Sequence, residues 1–206
     1  MPLPEPLRSD PHAGGRLFGD LLIAPSFKEA AGALALDFRQ EHGFPPLYQL
    51  GLVAPDVEVA VSELEREGIH GFAVTVGRPQ TWEEDGGSKA FSGKLALAVH
   101  EGLELELLEP GEGSDFYRSG LDPGGAIAVH HLGFLVPDID VWTETMTRAG
   151  QRTWVRGSLV SPRVTVRFAY VDTRRDAGII VEFISVAIGG KPVRRSLLGM
   201  GALSRR

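Results

Sequence analysis

The chain contains no cysteine, so no disulfide framework is available and the fold must hold by packing alone. Positive charge is also in deficit: 21 Lys and Arg stand against 27 Asp and Glu, for a net charge of −6 and a pI near 5.5. That balance excludes the basic stripe a nucleic-acid surface needs to neutralise phosphates, and no nucleic-acid partner is expected. Long apolar runs are missing as well. No stretch approaches the roughly 20 apolar residues of a membrane span, and the opening Met1-Pro2-Leu3-Pro4-Glu5-Pro6 lacks the apolar run of a signal peptide. No membrane partner and a cytoplasmic location are the resulting expectations. What the chain does have is enough apolar material, 43% of 206 residues, for one sizeable core or two small modules fused into one domain.

One stretch occurs twice. Residues 48–58, Tyr-Gln-Leu-Gly-Leu-Val-Ala-Pro-Asp-Val-Glu, align with residues 130–140, His-His-Leu-Gly-Phe-Leu-Val-Pro-Asp-Ile-Asp. Each copy leads into a helix-like run that stops at a glycine, Gly68 or Gly150. A second pair falls at the matching place downstream, Gly-Leu-Glu-Leu-Glu-Leu-Leu-Glu at 102–109 against Gly-Ile-Ile-Val-Glu-Phe-Ile-Ser at 178–185. The repeat sets Gln49 opposite His131 and Glu106 opposite Glu182, so four side chains able to bind a metal occupy two pairs of equivalent positions.

The organisation follows from this doubling. Residues 1–46 form an N-terminal extension with one short helix, capped by Ser26 and running over Phe27–His42. A first module, 47–110, reads as a strand, a helix opened by Pro55-Asp56, and three further strands, with 77–93 an exposed loop carrying Trp82. The Gly-rich stretch 111–126 is a linker. A second module, 127–188, repeats the order with its helix over Asp138–Ala149, and 189–206 is a basic tail whose Arg194, Arg195, Arg205 and Arg206 are solvated. The fold class is α+β, two tandem βαβββ modules.

Strand alternation sorts the candidates by face. In the first strand Gln49, Gly51 and Val53 share one face. In its counterpart His131, Gly133 and Leu135 share one face, with His130, Leu132 and Phe134 beneath the helix. Gly51 and Gly133 would then leave room for a bound molecule. Glu182 lies alone in Gly178-Ile179-Ile180-Val181-Glu182-Phe183-Ile184, where a buried carboxylate is costly unless paired. A divalent ion would be such a partner. One imidazole, two carboxylates and one amide oxygen make a hard, oxygen-rich set that suits Zn, Ni, Co, Mn, Mg or Fe without distinguishing among them. As a Lewis acid the ion would acidify the proton α to a bound carbonyl, with Glu182 and Glu106 as acid and base. The bland readings are a structural histidine for His131, a solvated strand face for Glu106 and an amide on the sheet for Gln49. Glu104 shares the face of Glu106 and is a lesser candidate base, and Arg163 and Arg167 face either the cavity or solvent. Trp82, Phe91, Trp154 and Phe168 supply apolar walls or plain core.

At these residues the chain resembles the vicinal oxygen chelate superfamily, which includes glyoxalase I, methylmalonyl-CoA epimerase, extradiol dioxygenases and bleomycin-resistance proteins. The resemblance covers about residues 47–186 and is carried by the paired strand–helix starts, His130-His131-Leu132-Gly133, Asp138 after Pro137, and the two Glu-bearing strands. It implies curved sheets around a shared cavity and one metal held by Gln49, Glu106, His131 and Glu182. That ligand set looks like glyoxalase I, while the surrounding wording looks like the epimerases, which usually have His in place of Gln49 and Gln in place of Glu106. The implied activity is a metal-dependent isomerase, epimerase or glyoxalase-like lyase on a small-molecule carbonyl substrate, in a homodimer. The alternatives are an Fe(II) extradiol-type dioxygenase, against which Gln49 speaks, and a non-catalytic binding protein of the antibiotic-resistance type.

Overall fold

A computed structural model describes residues 16–193. The Pro- and Gly-rich start and the arginines of the tail lie outside the described residues. Where one helix was expected near the N-terminus, there are three short ones: α1 (Phe18–Leu22), α2 (Phe27–Gly32) and α3 (Leu36–Glu41). Ser26 caps α2 by accepting from the Glu29 amide. Ala35, at φ 50°, then turns the chain out of the helix. The Arg39 guanidinium donates to the carbonyls of Gly32 and Leu34 that this break frees.

The repeat follows as β1 (Gln49–Val53), α4 (Val57–Arg66), β2 (Ala73–Gly77), β3 (Thr81–Glu84), β4 (Gly87–Ser88), β5 (Gly93–His100) and β6 (Leu103–Leu108). The second half is β7 (Ala128–Leu135), α5 (Ile139–Arg148), β8 (Arg152–Val160), β9 (Val164–Asp172), α6 (Arg174–Ala177), β10 (Ile180–Ile188) and β11 (Lys191–Pro192). The duplicated Pro-Asp does the same work twice. Asp56 accepts from the amides of Glu58 and Val59, and Asp138 from that of Asp140, so each helix starts on a carboxylate cap. In α4, Val57, Ala60, Val61 and Leu64 recur at helical spacing and are all buried.

All the strands join one curled sheet in the order β2-β5-β6-β1-β7-β10-β9-β8-β3-β4, with β11 on β10. At its centre β1 and β7 pair antiparallel, each flanked by a parallel partner, β6 and β10. The first and last strands of both repeats therefore lie side by side. The chain leaves β2 at one end of the sheet and reaches β3, paired to β8 near the other end, through Arg78, Pro79 and Gln80 alone. Such a connector spans no more than about 14 Å. The sheet must curl back on itself into an open half-barrel for that pairing to form.

The β3–β4 hairpin replaces the expected exposed loop. Asp85 and Gly86 both have positive φ, as a two-residue type I′ turn demands, and Trp82 and Glu84 point inward while Thr81 and Glu83 face out. Trp82 is 1% exposed. The main core lies on the convex face, where Leu50, Leu52, Leu105, Leu132, Phe134 and Phe183 pack under the helices.

Candidate metal centre

The register assembles the site as two neighbouring rows across the four central strands. One row runs Glu104, Gln49, Gly133, Glu182 and on to Tyr170; the next runs Glu106, Gly51, His131 and Ile180. All project onto the concave face, because residues two apart on a strand share a side. The glycines sit beside the long polar side chains. A Cβ on Gly51 would lie 1.8 Å from His131 Cε1, and one on Gly133 would lie 2.7 Å from Gln49 Oε1. The space these glycines leave is filled by His131 and Gln49 themselves, which corrects the expectation that it houses a bound molecule.

The structure brings Glu106, His131 and Glu182 together, with one ligand atom of each within 4.8 Å of the others. His131 Nε2 is 3.4 Å from Glu106 Oε2 and 3.2 Å from Glu182 Oε2. These separations allow charge attraction, yet none of the three atoms has a hydrogen-bond partner, and neither does Gln49 Oε1. All four sequence candidates thus present an unsatisfied buried polar atom, in a molecule whose described residues leave only six such side-chain atoms. With the imidazole neutral, as a metal ligand must be, the two carboxylates would carry a charge of about −2, which one divalent cation balances. The donor set fits a hard divalent metal.

Without an ion, burial pulls the His131 imidazole down, but contact with Glu106 and Glu182 outweighs it and pushes the ring up to about 9. Burial raises Glu106, helped by the charge of Glu182. Glu104 is raised by burial and then by Glu106. It is not free, however: Gln49 Nε2 donates to its Oε1 at 2.9 Å and the Tyr48 hydroxyl to its Oε2 at 3.1 Å.

His130 corrects the alternation reading. A β-bulge in β7 pairs Leu52 with Val129 and Gly51 with His131, so His130 is the extra residue and turns to the concave side. Its ring packs on Phe116 and Tyr117, and its Nδ1 lies 3.0 Å from His131 Nδ1. Burial, then His131, hold His130 well below the usual histidine range, so it stays neutral. The contact admits either tautomer; were His131 Nδ1–H to donate across it, a deprotonated His131 Nε2 would be left with a lone pair for an ion.

An aromatic shell closes over this end. Trp82 stacks on Phe91 at 4.3 Å and packs against Phe116, Tyr117 and Phe168. The Tyr117 and Tyr170 hydroxyls meet at 2.9 Å, and the Tyr170 ring stands 5.0 Å from that of His131. Sequence reasoning put His130 on the wrong face and missed Tyr117 and Tyr170. The bulge leaves no mark in the sequence, and Tyr117 sits in the Gly-rich linker; only Tyr170, two residues past Phe168 on one face, carried a signal. Arg167 lies on the opposite face, paired with Asp140 of α5 at 2.9 Å, and Arg163 is exposed. Further along β9, Val166 shares the face of Glu182 and lines a hollow of about 730 Å³ with Leu159, Arg78 and Gln80.

No family model and no curated protein matches the chain. Among solved structures it is similar to methylmalonyl-CoA epimerase from Mycobacterium tuberculosis, at 15% identity over 67% of this chain and 85% of that one, with a TM-score of 0.46. It is similar to a Streptomyces coelicolor methylmalonyl-CoA epimerase variant at 15% identity, over 67% of this chain and 94% of that one, with a TM-score of 0.40. A variant of 4-hydroxymandelate synthase from Streptomyces coelicolor matches at 12% identity, over 78% of this chain and 54% of that one, with a TM-score of 0.42.

Proposed function

We propose that this protein is a metal-dependent isomerase, epimerase or glyoxalase-like lyase that moves a proton next to a substrate carbonyl. The reading rests on one observation: Gln49, Glu106, His131 and Glu182 each turn a buried, unpartnered donor atom into one concave face, although burying such atoms unsatisfied costs roughly 1–3 kcal/mol apiece. These four residues would hold a divalent ion, which when bound would polarise the carbonyl as a Lewis acid. The rest falls to the chain. Glu106 and Glu182 flank His131 from β6 and β10, so one of the two carboxylates would take the α-proton as base and, as the carboxylic acid so formed, return that proton to the substrate. The burial that raises Glu106 suits it to hold the proton in between. His130 keeps the His131 ring oriented, and Trp82, Phe116 and Phe168 keep bulk water from the charged groups.

The test is the metal content of the purified protein beside that of a His131→Ala/Glu182→Ala double variant. Near-stoichiometric divalent metal in the parent, lost in the variant, is the expected result. It would be followed by deuterium uptake from heavy water into a panel of carbonyl compounds with acidic α-protons. A parent that holds no metal even after reconstitution overturns the reading and leaves the non-catalytic binding protein in its place.

A further inference from the structure

Glu104 stands one row from Glu106 on the same strand face, and it is the carboxylate of the site whose two oxygens are both engaged by neighbours. Sequence alone suggests a spare base or an extra ligand. The contacts suggest another task. An amide has one donor end and one acceptor end, and a carboxylate accepts. The Gln49 Nε2 donating to Glu104 Oε1 at 2.9 Å therefore turns Gln49 Oε1 the other way. That oxygen is buried, without a partner, and leans over Gly133, whose neighbour on the far side is Glu182. The Tyr48 hydroxyl holds the second Glu104 oxygen at 3.1 Å, so the carboxylate is itself fixed in rotation. Gly133 has no Cβ to push the amide away; one there would come within 2.8 Å of Gln49 Cβ.

We propose that Glu104 is a positioning residue: it locks the Gln49 amide so that its oxygen, not its nitrogen, is offered as the fourth donor beside Glu106, His131 and Glu182. The proposal rests on the metal reading above. It assigns Tyr48 and Glu104 a shared purpose, since the tyrosine steadies the carboxylate and the carboxylate steadies the amide. Neither touches the ion. Oriented outer partners of this kind are worth about 10–100-fold in metal affinity.

The experiment titrates Co²⁺ into the metal-stripped full chain and reads affinity and the visible absorption of the bound ion. Gln49→Ala, which removes the donor itself, should weaken Co²⁺ by about 100-fold or more, and Glu104→Leu, which removes only its outer partner, by about 10–100-fold, with changes of the same kind in the absorption band. Their combination should be no weaker than Gln49→Ala alone, because the two act through one oxygen. Glu104→Gln keeps an oxygen that can accept from Gln49 Nε2 and should hold Co²⁺ close to the parent, whereas a Glu104 that bound the ion through its charge would lose affinity on this change; it also guards against a Glu104→Leu variant that fails to fold. Parent-like binding by Glu104→Leu, additive loss in the combination, or a Glu104→Gln variant as weak as a folded Glu104→Leu would each overturn the proposal. A parent that binds no Co²⁺ would instead overturn the metal reading, and this one with it.

Discussion

Gly51→Ala is the smallest change that should disable the centre. The added methyl would sit 1.8 Å from His131 Cε1 and 2.1 Å from both ring nitrogens, where carbon atoms in contact normally stand about 3.5–4.0 Å apart. The backbone at Gly51 carries no positive φ, so the substitution is not strained in itself; the whole penalty falls on the ring. His131 is fully buried on a central strand, and its ring must retreat by about 1.5–2 Å to restore contact distance. Metal–ligand bonds tolerate about 0.2 Å. The variant should therefore lose one ligand outright and bind divalent metal at least about 100-fold more weakly, a larger loss than an outer-partner change brings. Overpacking should cost about 1–3 kcal/mol, which for a chain of this size lowers the melting temperature by roughly 2–12 °C. Gly133→Ala meets the flexible Gln49 side chain at 2.7–2.8 Å and should be milder on both counts. The assays are calorimetric metal titration and thermal unfolding of the metal-free protein. If Gly51→Ala binds metal as the parent does, the ring does not occupy the glycine notch and the row geometry described above is wrong.

Trp82→Ala empties the centre of the aromatic shell and should cost about 3–5 kcal/mol, a fall of roughly 6–20 °C in melting temperature; an unchanged melt would mean the hairpin is not packed. Tyr117→Phe and Tyr170→Phe each strand the other's buried hydroxyl, so each should cost about 1–3 kcal/mol. The double variant should cost less than the sum of the singles in urea unfolding, and strict additivity would refute the pairing. Asp140 is held below its ordinary 3.8 by its hydrogen bond from Arg167 and by Arg156, so its contribution is present above pH 3.8 and disappears as acid protonates it. Asp140→Asn should therefore be less stable than the parent near about pH 7 and converge with it near about pH 2.5; because the pair is half exposed, the gap should be modest, about 0.2–1 kcal/mol. A gap that persists in acid would place the effect elsewhere than in the charge.

The α+β class and the strand–helix order were legible because they rest on local signals. Asp56 and Asp138 cap on sight, Val57, Val61 and Leu64 keep helical spacing, and Glu104 and Glu106 alternate with buried leucines. The doubling then brought Glu106, His131 and Glu182 to matching strands, and the pairing of β1 with β7 set those strands side by side. What escaped was what depends on distant partners. The bulge at His130 exists only because β1 pairs with β7. The Asp85-Gly86 turn was a readable hairpin signal, but Thr81-Trp82-Glu83-Glu84 is too short and too acidic to announce a strand without the β8 edge beside it. The role of Glu104 depended on a contact with Gln49, 55 residues away.

The β3–β4 hairpin belongs to the first half of the chain and completes the sheet of the second. Together with the β1–β7 seam it makes the two halves grip each other at two separated places, like a clasp. Neither half can close its own edge. Pairs such as Thr81 with Ser158, 77 residues apart, seat the strand that carries Trp82, so this clasp rests on long-range contacts of the kind that slow folding. The same two seams mean that fragments cut in the 111–126 stretch should find and rebuild one another, with neither holding a finished centre until both are present.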